Sequence, residues 1–98
     1  MKFIQIVDFE TERMDEMRAV MAEWDESERR DYSPVGSVLL KDRDNPDRYY
    51  VVVTFNSYDD AMRNSEDPRT SEMAGRLGAL CTRPTKFVNC DVLEDFAG

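Results

Sequence analysis

Gln5 is the residue hardest to explain as packing. It is an amide in the middle of the apolar run Phe3-Ile4-Gln5-Ile6-Val7, and a buried amide must find hydrogen-bond partners. A ligand, a water or a neighbouring side chain would each meet that need. Asn89 and Asp91 interrupt the last apolar run two residues apart, on one face of a strand. They are either pocket polarity or the wet positions of an edge strand. Asn64 falls at a break between two helical patterns, where it either caps freed backbone groups or touches a ligand. Trp24 ends a helical apolar stripe and is either core or an aromatic platform. Tyr49 and Tyr50 are adjacent in a strand pattern, so they point to opposite faces. Gln5, Trp24, Tyr49, Tyr50, Asn64 and Asn89 are therefore the candidate ligand contacts. No catalytic residue is assignable from residue type and spacing.

Other polar residues have blander alternatives. Asp8 sits in a core-like strand and would act as a base if buried, but its place near the strand end favours solvation. Arg76 and Arg83 would hold an anionic group or serve as solvated helix-end charges. Tyr32 would gate a pocket mouth or simply lie in a surface loop. The chain has no histidine, which removes Ser-His-Asp and Cys-His catalysis, the commonest metal ligand and the usual proximal ligand of haem. Cys81 and Cys90 have neither redox-pair nor zinc-ligand spacing; they are read as buried thiols, with a disulfide as the alternative. No metal site and no cofactor are expected.

The elements that must position these residues follow from periodicity. Strands are expected over Lys2 to Phe9, Val35 to Asp42, Arg48 to Phe55 and Thr85 to Leu93. A first helix, capped by Thr11, carries Met14, Met17, Met21 and Trp24 at helical spacing and frays near Arg29 to Tyr32 before Ser33-Pro34. Ser57 caps a short second helix and Asp67-Pro68 restarts it. Met73, Leu77 and Leu80, with Ala74 and Cys81, form the inner face of that last piece, and Arg83-Pro84 ends it. Asp44-Asn45-Pro46-Asp47 is a hairpin turn by composition.

The order strand-helix-strand-strand-helix-strand predicts an α+β fold of the ferredoxin-like βαββαβ kind. Its four-stranded antiparallel sheet would carry the helices on one face. Residues 1–94 are expected to form a single domain, with 95–98 a loose tail. Tyr49-Tyr50-Val51-Val52-Val53-Thr54-Phe55 is apolar or aromatic on both faces, as are the other strands, although two helical regions cover only one. The second face is therefore expected to meet the same face of a second copy, giving a sheet-to-sheet homodimer.

Thirteen Lys plus Arg against 21 Asp plus Glu give a formal charge of −8. That balance argues against nucleic acid and anionic membrane surfaces as partners. No apolar run reaches the roughly 20 residues of a membrane span, and no signal pattern opens the chain; the expected location is cytoplasmic.

Two segments carry a resemblance. Val52-Val53-Thr54-Phe55-Asn56-Ser57-Tyr58-Asp59-Asp60-Ala61-Met62 resembles the third strand, polar turn and helix start of the dimeric α+β-barrel, antibiotic-biosynthesis-monooxygenase-like superfamily. Asn64-Ser65-Glu66-Asp67-Pro68 resembles its break between two helical pieces. The resemblance implies a homodimer with a pocket between the sheet and the helices of each copy. The implied activity is cofactor-independent monooxygenation of a small hydrophobic aromatic or polyketide-type substrate. Non-catalytic binding of a small apolar ligand, an accessory role, and a cofactor-free isomerase or cyclase are the alternatives. In the haem-degrading branch an Asn, a Trp and a His matter. The Asn position falls on Gln5, the Trp position near Ser65, and no residue can fill the third, which argues against haem degradation by a His-ligated mechanism.

Overall fold

The computed structural model describes residues 1–24 and 26–97. Strand β1 (Phe3–Glu10) leads to helix α1 (Met14–Met21); β2 (Gly36–Lys41) and β3 (Arg48–Phe55) form a hairpin; α2 (Tyr58–Glu66) and α3 (Pro68–Gly78) precede β4 (Lys86–Asp91). The sheet order is β2-β3-β1-β4, antiparallel throughout. This is the ferredoxin-like arrangement, with β1 and β3 central.

Strand register sorts the residues onto two faces. Phe3 pairs with Phe55, Gln5 with Val53, Val7 with Val51 and Phe9 with Tyr49. These residues share the helix side, because Phe3 and Phe55 pack with Ala61 of α2 in the main core cluster, flanked by Val53 and Met62. Tyr58 adds an edge-on contact to the Phe3 ring at 5.3 Å. The alternate residues, Ile4, Ile6, Val38, Leu40, Val52 and Val88, form the other face. No described helix covers them: Val38 is 56 % exposed and Leu40 42 %.

The helix boundaries follow local chemistry. The Ser57 hydroxyl accepts the Asp60 N–H at 3.1 Å, and the Asp67 carboxylate accepts the Arg69 N–H at 3.0 Å with Pro68 in the first turn. Both caps are as the composition suggests. Helix α1 is shorter than its apolar spacing implies. It stops at Met21, and a single 3-10 turn, Glu26–Glu28, follows. Beyond Met21 the run is mostly charged and has no apolar face to dock, and without docking so short a helix does not persist. The part of the expected helix at Asp25, like Gly98 of the expected tail, lies outside the described residues.

Thr11 is not the cap of α1: the N-cap position is Arg13, which has no side-chain cap hydrogen bond, and Thr11 instead ties separate elements together. Its side chain is fully buried; the hydroxyl accepts the Arg13 N–H at 2.9 Å and donates to the Leu80 carbonyl at 2.7 Å. Its own N–H donates to the Asp47 carbonyl at 2.9 Å. One residue thus ties the exit of β1 to the β2–β3 turn and to the end of α3. Asp42 organises that turn. Its carboxylate accepts the Asp44 N–H, the Asn45 N–H, the Asn45 side-chain amide and the Tyr50 hydroxyl, at 2.9, 3.1, 3.0 and 2.8 Å. Those donors, the Asp44 N–H first, hold its carboxyl down at about 2.

Two outcomes follow. Thr11→Val keeps the shape but leaves the Arg13 N–H and the Leu80 carbonyl unpaired, so denaturant unfolding should show a loss of about 1–3 kcal/mol. Asp42 has a depressed folded-state pKa, so its contribution is complete above the unfolded value of about 3.9 and fades as pH falls toward the folded value. The decline in stability between roughly pH 4 and 2 should be shallower in Asp42→Asn than in the parent when both are followed by thermal melts.

Candidate functional site

Between sheet and helices, burial is concentrated at the two ends of β1. Phe3, Phe55 and Ala61 close one end, and Phe9, stacked on Tyr49 at 5.7 Å, closes the other. Met17 of α1 is buried too. The strand centres between those ends are incompletely covered. Gln5, Val7, Val51 and Val53 are half-buried, while Leu39 of β2 and Phe87 of β4, on the same side, remain 40 and 54 % exposed. The helices therefore lie over an apolar floor without sealing it at the sheet margins. That floor is the candidate site.

Its polar feature is a pair of amides. Gln5 and Asn89 are directly opposite in the β1–β4 register, and the Gln5 Nε2 donates to the Asn89 Oδ1 at 3.1 Å. Sequence reasoning nominated both residues separately; the pairing of β1 with β4 brings them together. The bond uses one donor of Gln5 and one acceptor site of Asn89, leaving the Gln5 carbonyl oxygen and the Asn89 NH₂ able to face a ligand. Tyr49 shares this side, whereas Tyr50 is on the bare face with its hydroxyl on Asp42.

The remaining candidates lie elsewhere. Trp24 is not core: it is 38 % exposed, beside Met73 in a hollow of about 170 Å³, with the Arg69 guanidinium 5.8 Å from its ring. The early stop of α1 removes it from the apolar stripe. Asn64 is half-buried and gives its backbone carbonyl to the Asp67 N–H at 3.2 Å, while the side-chain cap of α3 is Asp67. Tyr32 donates its hydroxyl to Asp67 at 2.7 Å, and that carboxylate neighbour raises the phenol pKa. Asp67 also holds Arg69 through two contacts, at 3.2 and 2.7 Å, and Arg69 reaches Glu28 at 3.1 Å. This network fastens the segment before β2 to the helix break, and no sequence pattern announced it.

Asp8 is not solvated, and its pKa is not raised. It lies on the bare face, 8 % exposed, and accepts from Arg48 at 3.1 and 2.7 Å and from Arg83 at 2.8 Å. The Arg48 bonds, with Arg83 adding to them against burial, hold its carboxyl below the usual range. Arg83 also pairs with Glu10 at 2.7 Å, and Arg76 grips Glu23 at 2.8 and 2.7 Å. Both guanidiniums are thus engaged by carboxylates. Cys81 and Cys90 are free thiols, not a disulfide. Among the described residues no cluster of three or more His, Cys, Asp or Glu is arranged to hold a metal ion.

Comparison with known proteins places the fold. No family model and no curated protein matches the chain. Solved structures do. SnoaB of Streptomyces nogalater, a cofactor-independent oxygenase crystallised as an asparagine-to-alanine variant, superposes with a TM-score of 0.77 at 18 % identity. The match covers 99 % of this chain and 98 % of that one. A Bordetella bronchiseptica protein assigned as an antibiotic biosynthesis monooxygenase gives 0.77 at 18 % identity, over 95 % of this chain and 98 % of its own. Rv0793 of Mycobacterium tuberculosis gives 0.78 at 15 % identity, over 99 and 100 %. The chain has the ferredoxin-like fold of the antibiotic-biosynthesis-monooxygenase-like proteins over nearly its full length.

The amide pair yields a direct check. A double-mutant cycle on Gln5→Ala and Asn89→Ala should return a coupling of about 0.5–1.5 kcal/mol in denaturant unfolding. Additive losses would mean that the two side chains do not meet in solution.

Proposed function

We propose that this protein is a cofactor-independent monooxygenase that acts, as a homodimer, on a small hydrophobic aromatic or polyketide-type molecule. The substrate would lie between the sheet and the helices, and the location would be cytoplasmic. The observation that carries the reading is the end-to-end similarity to SnoaB, a cofactor-independent oxygenase. The floor supports it, since Val7, Val51, Val53, Leu39 and Phe87 suit a flat apolar ring system. The absence of histidine is no obstacle, because the substrate anion is itself the reductant of oxygen. Among the described residues no helix is long and apolar enough to cross a membrane.

For an anthrone-like substrate the balance is simple. The ring CH₂ loses a proton, and the carbanion transfers electrons to O₂ to form a carbon–oxygen bond. The resulting hydroperoxide expels water as the second hydrogen leaves, and the carbon ends as a carbonyl. One oxygen atom is retained and the other leaves as water. The protein's share is to exclude solvent and to direct donors at the developing negative charge. The Asn89 NH₂ and the unused Gln5 N–H are two of the donors on this side, and the Gln5 carbonyl can accept a substrate hydroxyl.

A non-catalytic ligand-binding domain is the second reading. It is favoured by one observation: the two amides already satisfy each other in part. Aerobic incubation with a panel of anthrone-like phenols separates the two. The oxygenase reading expects oxygen uptake with matching growth of quinone absorbance, reduced at least about tenfold in the Gln5→Ala/Asn89→Ala variant. Binding of the same phenols without oxygen uptake would favour the second reading.

A further inference from the structure

Residues 26–35, which lead from the helical layer into β2, are fastened by polar contacts and have little apolar packing. Only Ser33 of this stretch is buried, and Val35 is 44 % exposed. Three fastenings reach the helices around the α2–α3 break. Glu28 accepts from the Arg69 guanidinium through its carboxylate at 3.1 Å and its backbone carbonyl at 3.0 Å. Asp31 pairs with Arg63 at 3.5 Å, and the same guanidinium lies 4.7 Å from the centre of the Tyr32 ring. The Tyr32 hydroxyl donates to Asp67 at 2.7 Å. At the other end the Val35 N–H donates to the Thr54 carbonyl at 2.8 Å, and Gly36 then opens β2. The stretch thus spans from the helix break to the edge strand of the sheet.

We infer that residues 26–35 form a strap controlling entry to the floor between sheet and helices, with Tyr32 as its latch. Ser37 and Leu39, which follow the strap, pair with Val53 and Val51 of the floor. A molecule crossing the β2 margin must pass them, and Leu39 is left 40 % exposed there. A segment with few buried apolar contacts opens locally before the core does. The Glu28 and Asp31 side chains are 46 and 77 % exposed, and such pairs are individually weak and screened by salt. Asp67 differs, since its side chain is only 9 % exposed, so a hydrogen bond to it keeps more of its strength. Its oxygens are divided: Oδ1 takes the Arg69 N–H that caps α3, and Oδ2 takes Tyr32. The Arg69 guanidinium bonds both, at 3.2 and 2.7 Å. The latch can therefore release while the cap stays made and the carboxylate stays paired.

Control of entry rests on the proposed site; the latch itself does not, and two measurements separate them. Amide hydrogen exchange reads the latch. The Arg29 and Ser33 N–H groups donate within the strap, each at 3.1 Å, to the Glu26 and Arg30 carbonyls. In Tyr32→Phe/Glu28→Gln their protection should fall at least about tenfold, with that of β1 and β3 unchanged. Equal strap protection in variant and parent would overturn the latch. Stopped-flow absorbance of 1,8-dihydroxyanthraquinone reads entry. Entry and exit cross the same barrier, so the variant should bind and release the dye at least about threefold faster, with Kd within about twofold. Raising salt from roughly 20 to 300 mM should speed both rates in the parent, and less in the variant. A loosened strap with dye rates equal to those of the parent would overturn the gate and leave the site standing. A parent that does not bind the dye would overturn the site reading and the gate together.

Discussion

Antiparallel pairing sends successive side chains to opposite faces, and in this chain both faces are apolar. Both helical regions come from the same side, so within one copy the other face has no described helix over it. Phe3, Phe55 and Ala61 settle which side the helices take, and every other feature adjusts to that choice. Ile4, Ile6 and Val52 are left to the face without helices. The segment after β4 is the only described part of the chain beyond the sheet's own strands that lines a groove there.

Polar chemistry is arranged around that division. Where the chain must turn or change direction, it uses saturated hydrogen-bonding centres: Thr11 at the exit of β1, Asp42 in the hairpin and Asp67 at the helix break. Asp8 with Arg48 and Arg83 marks one end of the bare face with paired charge rather than with apolar surface. The candidate site is different. The centre of its floor pairs two neutral amides beside aliphatic and aromatic groups, so a few hydrogen bonds would orient a ligand there.

The parts that were readable from residue order were those governed by local rules. Strand β3 spans the residues its composition predicts, and Ser57 and Asp67 cap their helices as their types demand. The misreadings came where tertiary packing overrides a local pattern. Trp24 keeps its helical spacing, but the helix beneath it ends first, so an aromatic read as either core or ligand platform lies beside an arginine. Asp8 looked solvated near a strand end until two arginines, 40 and 75 residues away in the chain, closed over it.

Residue order alone determined the element sequence, the two-faced apolar sheet and the lack of histidine chemistry, because periodicity, capping and composition act over a few residues. Only the folded chain decided that Gln5 meets Asn89, that Tyr49 rather than Tyr50 faces the helices, and that Leu93 and Phe96 stand at the rim of a groove. Those facts depend on strand register and on which face the helices take. Both are settled by contacts between residues far apart in the chain, whose cost and gain no local pattern records.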